Sequence, residues 1–143
     1  MNKIHQDLYV SYQHDYHLYG LACSKPGYKL AWSMNHHLGW HLKRAEDLRL
    51  DFPANASLLV PNFIFTTAHR TFRLLKNNAF TPEEKTALLL PELAQWDYLL
   101  HIQDPSTTFD HDELLQKMRT LTDIQQVARI EIDSIDHKEN LLF

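Results

Sequence analysis

Trp96-Asp97-Tyr98-Leu99-Leu100-His101-Ile102-Gln103 opens the stretch on which the fold turns, and Val127-Ala128-Arg129-Ile130-Glu131-Ile132-Asp133 closes it. The first segment is a short apolar run bounded by turn residues and reads as a strand. In the last, Val127, Arg129, Glu131 and Asp133 fall on one side and Ala128, Ile130 and Ile132 on the other, the period of two that defines a strand. Between them stands Asp110-His111-Asp112-Glu113, where an aspartate followed three residues later by a glutamate can satisfy the free N–H groups of a helix start. Leu114, Leu115, Met118 and Leu121, with Ile124 at the end, supply the apolar stripe of that helix. Strand, helix and strand in this order form a split βαβ unit, which implies a ferredoxin-like arrangement for the C-terminal half.

Working upstream, Leu88-Leu89-Leu90 runs into Pro91, so residues 86 to 90 read as a short strand and Pro91 to Gln95 as a compact turn. Thr81-Pro82-Glu83-Glu84 has the form of a capping box that could open a brief helical turn, and Asn77-Asn78 marks a turn before it. Phe63 and Phe65, then Phe72 and Leu74, alternate with their neighbours around a polar connection at Thr67 to Arg70, a hairpin pattern. Trp40 and Leu42 alternate with His41 and Lys43, and Arg44 to Leu50 continues that strand irregularly. Residues 26 to 38 read as a helix: Leu30, Ala31, Met34 and Leu38 recur at helical spacing, Ser24 or a near neighbour caps the start, and Gly39 sits where a left-handed residue ends a helix. Asp15 to Ala22 alternates as a strand. The expectation is an α+β fold, two helices packed on a largely antiparallel sheet of about six or seven strands, in a single domain over residues 1 to 143.

Composition bounds the function classes. With 143 residues, 44% hydrophobic and 22% charged, the chain has enough apolar material for one core and is neither disordered nor fibrous. A formal charge of −4 argues against a general coat for nucleic acid or an anionic membrane. One cysteine, Cys23, excludes an intramolecular disulfide framework. The first residues lack the apolar core of a signal peptide, and the charge-poor stretch from Phe52 to His69 contains Pro53, Asn55, Pro61 and Asn62, so a cytoplasmic protein without a membrane span is expected.

Leu90-Pro91-Glu92-Leu93-Ala94-Gln95-Trp96-Asp97-Tyr98 resembles the signature of a bacterial family named for its motif, IPExxxVDY. Leu90 stands for the isoleucine and Trp96 for the valine, while Pro91, Glu92, Asp97 and Tyr98 match. Tyr28-Lys29-Leu30-Ala31-Trp32 leading to Asn35, Arg44 with Asp47-Leu48, and Lys138-Glu139-Asn140-Leu141-Leu142-Phe143 are similar to the same family, so the resemblance spans nearly the whole chain. It implies no activity, substrate or catalytic residue.

The motif has a physical reading of its own: Pro91 preorganises a turn, Glu92 satisfies free N–H groups, and Asp97-Tyr98 opens a strand. The sharper alternative makes Glu92 and Asp97 a carboxylate pair for acid/base or metal chemistry, with His101 or the His36/His37 pair completing a pocket. Ten histidines are present, with His14 and His17 near one another and His36, His37 and His41 clustered. No HExxH or cysteine pair completes a metal site, and Gly39 interrupts the His37/His41 spacing, so surface or capping roles come first. Cys23 precedes a helix start, where the dipole and Lys25 could activate it, although a small buried residue is the simpler reading. No phosphate-cradling glycine motif occurs.

Charge is uneven. Residues 1 to 80 carry nine Lys/Arg against five Asp/Glu, net +4, and residues 81 to 143 carry five against thirteen, net −8. Lys43, Arg44, Arg49, Arg70, Arg73 and Lys76 could make an RNA-binding face if they shared one surface. Leu141-Leu142-Phe143 either packs on the domain or meets a partner groove. The sequence therefore points first to a small protein-binding or assembly module without catalytic activity, acting on a protein partner or by self-association as a homodimer. No cofactor, metal or catalytic residue is assigned. A small His/carboxylate enzyme or metal-binding protein is the alternative, and RNA binding is third.

Overall fold

The computed structural model describes residues 16–52, 56–83, 85–105 and 109–141. Ten strands and two α-helices follow in the order β1 (Tyr16–Ala22), α1 (Gly27–Leu38), β2 (Lys43–Arg44), β3 (Leu48–Phe52), β4 (Ala56–Val60), β5 (Asn62–Thr66), β6 (Thr71–Lys76), β7 (Asn78–Phe80), β8 (Thr86–Leu88), β9 (Tyr98–Gln103), α2 (His111–Arg119) and β10 (Gln126–Ile130). Single 3-10 turns occupy Pro91–Leu93, Ile132–Ser134 and Lys138–Leu141.

Two antiparallel sheets result, a six-stranded one in the order β10-β1-β9-β6-β5-β2 and a four-stranded one in the order β3-β4-β7-β8. β1 lies between β9 and β10 and is antiparallel to both, so β9, α2 and β10 form the expected split βαβ unit. The ferredoxin-like arrangement is not confined to the C-terminal half. β1, α1 and β6 complete it, because β9 separates β1 from β6 in the same way, and the hairpin partner β5 with the two-residue β2 extends the sheet.

Alternation along the central strands divides the molecule into two cores. Tyr19 and Leu21 of β1, Phe72 and Leu74 of β6, and Leu100 and Ile102 of β9 meet Leu30, Ala31 and Met34 of α1 and Leu114 and Met118 of α2. Leu18, Leu75 and Leu99 point the other way, against Leu58 and Val60 of β4, Ala79 of β7, and Leu89, Leu90, Trp96, Ile135 and Leu141. The six-stranded sheet is thus the middle layer between helices and a second sheet. Burial on both faces accounts for the nearly continuous apolar run in β9.

Local chemistry agrees with the helix ends. Gly39 has φ 70° and returns its N–H to the Asn35 carbonyl at 3.1 Å, and the Asp110 side chain accepts from the Glu113 N–H at 3.0 Å. The start of α1 differs from expectation: Pro26 takes the cap position with no side-chain cap, and Ser24 makes none. Arg44 to Leu50 does not extend one strand. After β2 the chain turns into a separate hairpin, in which Leu50 pairs with Leu58. Thr81 opens no helix, since its N–H reaches the Lys85 carbonyl at 2.8 Å to close the β7–β8 turn. Residues 127–133 stop being a strand at Ile130, and a 3-10 turn carries the chain under the sheet.

Candidate functional site

The segment from Leu90 to Tyr98 is a clamp between distant parts of the chain. Asp97 Oδ2 accepts from the Cys23 N–H at 2.8 Å, and the Tyr98 hydroxyl donates to the Lys25 carbonyl at 2.8 Å, so both hold the connection that starts α1. Glu92 accepts from the His137 N–H at 3.2 Å and lies 2.8 Å from its Nδ1. The two carboxylates hold different segments and do not act as a pair. Burial works against ionisation of Glu92, but the hydrogen bonds from His137 prevail and its pKa is lowered, while His137 is raised by the same contact. Burial, with Cys23 and Asp97 beside it, pushes Tyr98 up to about 12, so it remains a hydroxyl donor.

A residue unmarked by the motif organises this clamp. Asn77 is fully buried; its Nδ2 reaches the carbonyls of Leu93 and Trp96 at 3.0 and 3.1 Å and, at 3.5 Å, that of Leu90. Its Oδ1 accepts from the Leu90 N–H at 2.9 Å. Other residues that carry the resemblance do similar work: Asn35 makes a two-way bond with the backbone of Leu42, and Asn140 donates to the Leu89 carbonyl. Leu141 is 1% exposed in the lower core, so self-docking describes it and presentation to a partner does not; Leu142 and Phe143 lie outside the described residues.

Among the described residues, the histidines and Cys23 occupy separate places. Among the described residues no group of three or more His, Cys, Asp or Glu side chains could hold a metal ion, and His14 lies outside them. His36 stacks on Trp32 with ring centroids 5.0 Å apart, His37 Nδ1 meets the Ser33 carbonyl at 2.9 Å, and His41 meets Phe65 edge-on. Cys23 is buried and its pKa is raised by that burial, the opposite of thiolate activation. His101, expected to complete a pocket, is buried in the lower half of the sheet, stacked on Tyr16. At the start of α2, the Tyr19 hydroxyl bonds His111 Nδ1 and His17 meets the His111 ring edge-on. Burial lowers both imidazoles, with Arg129 contributing to each.

The six basic residues do not share one face. Arg70 and Lys76 flank opposite ends of β6, Arg73 points to the lower side, and Arg49 sits on the second sheet beside Asp51. Arg44 and Lys76 both line a cavity of about 330 Å³, with Gly27, Tyr28, Pro61, Phe63, Leu74 and Tyr98. A second cavity of about 300 Å³ near Trp40 and Phe109 is already neutralised, Arg70 by Asp104 at 2.7 Å and Lys117 by Glu113 at 2.9 Å.

Beside the first cavity, α1 presents Tyr28 and Trp32, each 64% exposed and four residues apart, on the side opposite its buried Leu30, Ala31 and Met34. These are the only large hydrophobic side chains so exposed among the described residues. From Tyr16 to Ala45 the chain has no Asp or Glu, while Lys25, Lys29, Lys43 and Arg44 are all exposed. The aromatic pair was detectable in sequence as two large rings off the apolar stripe of a helix. The cavity was not, because its walls come from five separate segments.

Comparisons with protein-family models, with curated proteins and with solved structures each found no match.

Proposed function

We propose that the chain is a small cytoplasmic protein-binding or assembly module of the IPExxxVDY family, without catalytic activity, that docks an acidic partner surface on the outer face of α1. The observation that carries this reading is the exposure of Tyr28 and Trp32 on a helix face bordered by lysines and free of carboxylates. Exposed aromatics give a partner large contact area at low entropic cost, and the surrounding cations select an acidic counterpart. The motif supports it indirectly: Glu92, Asp97 and Tyr98 are committed to holding chain segments rather than to open chemistry.

The test compares the wild-type chain with Tyr28→Ser/Trp32→Ser in co-purification at moderate salt, with and without nuclease. The expected result is an identified protein recovered by the wild type after nuclease treatment and lost with the double variant, whose unfolding midpoint is unchanged. Reconstituted from purified components, that pair should weaken as salt rises. Recovery that survives the double substitution, that needs nucleic acid, or that proves to be a second copy of this chain would each overturn the proposal. So would the absence of any partner.

A further inference from the structure

We infer that the cavity between the first turn of α1 and strands β5 and β6 binds a small planar aromatic anion, a ring carrying one carboxylate or phosphate. This goes beyond the docking role of Tyr28 and Trp32; Tyr28 is common to both surfaces, and the variants below leave it in place so that the two readings fail separately. The cavity volume, about 330 Å³, is at the small end for ligand sites and suits one or two rings. Its walls are aromatic and aliphatic: Tyr28, Phe63, Tyr98, Leu74 and Pro61. Phe63 pairs with Leu74 across β5 and β6, which sets both on the helix side, and the Tyr98 hydroxyl is tied to Lys25, so its ring is fixed as a wall.

Two cations border this apolar space, and no carboxylate lines it. Arg44 is held in place by Asp47 Oδ1 at 2.6 Å and by the carbonyls of Ala45 and Asn62, with its guanidinium 5.7 Å from the Phe63 ring centre. Lys76 has no carboxylate partner among the described residues; its ammonium lies 5.7 Å from the Phe80 ring centre. Arg44 is therefore fixed in place with its charge met by Asp47, and Lys76 supplies the positive charge at the border that no described carboxylate meets. An apolar slot with that border favours a ligand that is flat and anionic over one that is only one of the two.

Gly27 makes the space possible. A Cβ at this position would stand 2.9 Å from Phe63 Cε1, inside contact distance, so a side chain there must displace the ring that forms the wall.

The test titrates the full chain with phenyl phosphate and phenylacetate, using inorganic phosphate as the anion-only probe and benzyl alcohol as the ring-only probe. Amide chemical shifts locate the site. Saturable binding of at least one aromatic anion is expected, with shifts at Gly27, Phe63 and Lys76, and both control probes should bind roughly tenfold or more weakly. Comparison of the two anions tells a carboxylate site from a phosphate site. Lys76→Met should weaken the preferred anion roughly tenfold and leave benzyl alcohol unchanged. Gly27→Ala should weaken both, and Lys29→Met, outside the cavity lining, neither. No saturation by either aromatic anion at millimolar concentration would overturn the proposal, as would equal binding of inorganic phosphate or affinities insensitive to Lys76→Met.

Discussion

On its upper face the six-stranded sheet is covered by α1 and α2, whose apolar stripes reach Tyr19, Leu74 and Leu100; on its lower face it is covered by short strands and turns. Helices are stiff cylinders, so they seal the centre of the sheet and leave gaps along their edges. The two cavities described above border α1 or α2. Turns can follow the sheet surface closely, but they bring backbone polar groups inward. Buried amides then become necessary, and Asn62, Asn77 and Asn140 all belong to this lower construction. The difference leaves cavities along the helical face and buried, hydrogen-bonded amides on the other.

The strongest way to break that comparison is Asn77→Ala. It removes the acceptor of the Leu90 N–H and the donor to the Leu93 and Trp96 carbonyls in a fully buried place. Urea denaturation should show a loss of about 3 kcal/mol. A loss no larger than that of a surface substitution would mean that the turns hold themselves.

Gly20→Ala probes the closeness of the lower packing. The new Cβ would stand 2.4 Å from Trp96 Cδ2, and a cost of about 2 kcal/mol is expected. Trp96→Leu in the same chain should recover part of it, and a double variant less stable than Gly20→Ala alone would contradict the steric account.

Acid sharpens the contrast differently. Burial, aided by Arg73, pushes His101 down to about 3, and burial also lowers His17 and His111 on the upper face. With folded values below the unfolded 6.5, these groups bind protons preferentially in the unfolded chain. Stability should therefore fall as pH drops below about 6.5, by roughly 1 kcal/mol per pH unit for each such proton, and for His101 the fall continues to about 3. His137, raised by Glu92, has the opposite sign: its contribution is present below 6.5 and fades as pH rises through its folded value. Unfolding measured from pH 7 to 4 should flatten in His101→Gln by about one proton; an unchanged slope would remove His101 from this account.

The smallest effect concerns the clamp on α1. Tyr98→Phe leaves the Lys25 carbonyl without its donor and should cost about 1 kcal/mol in thermal or urea unfolding. No measurable change would show that the Asp97 bond to Cys23 suffices.

Elements with a strong local period were readable from the chain: β1, α1 with its Gly39 stop, the β5–β6 hairpin, β9, and α2 with its Asp110 cap. Of the lower sheet β8 was readable, within the strand expected at 86 to 90, but the rest escaped because its signal is not local. Leu48, Leu50 and Phe52 alternate but are only half-buried, β7 is three residues long, and Asn77 acts on carbonyls 13 to 19 residues away. The candidate site divides similarly. Tyr98 stood out through its motif and Arg44 and Lys76 through their charge, but nothing in the sequence separates those two cations from Arg49, Arg70 and Arg73, which the strand directions send elsewhere.

The position of β1 has a consequence for synthesis. Ala22 pairs with Gln126, so one flank of this central strand is completed only after roughly a hundred further residues have been made, about 5 to 20 s at ordinary elongation rates. During that interval its unmatched edge, carrying Leu18, Tyr19 and Leu21, is open to strand addition from other nascent chains. A ribosome-bound fragment ending before β9 leaves both flanks of β1 open, and one ending before β10 still leaves the flank away from β9 unpaired.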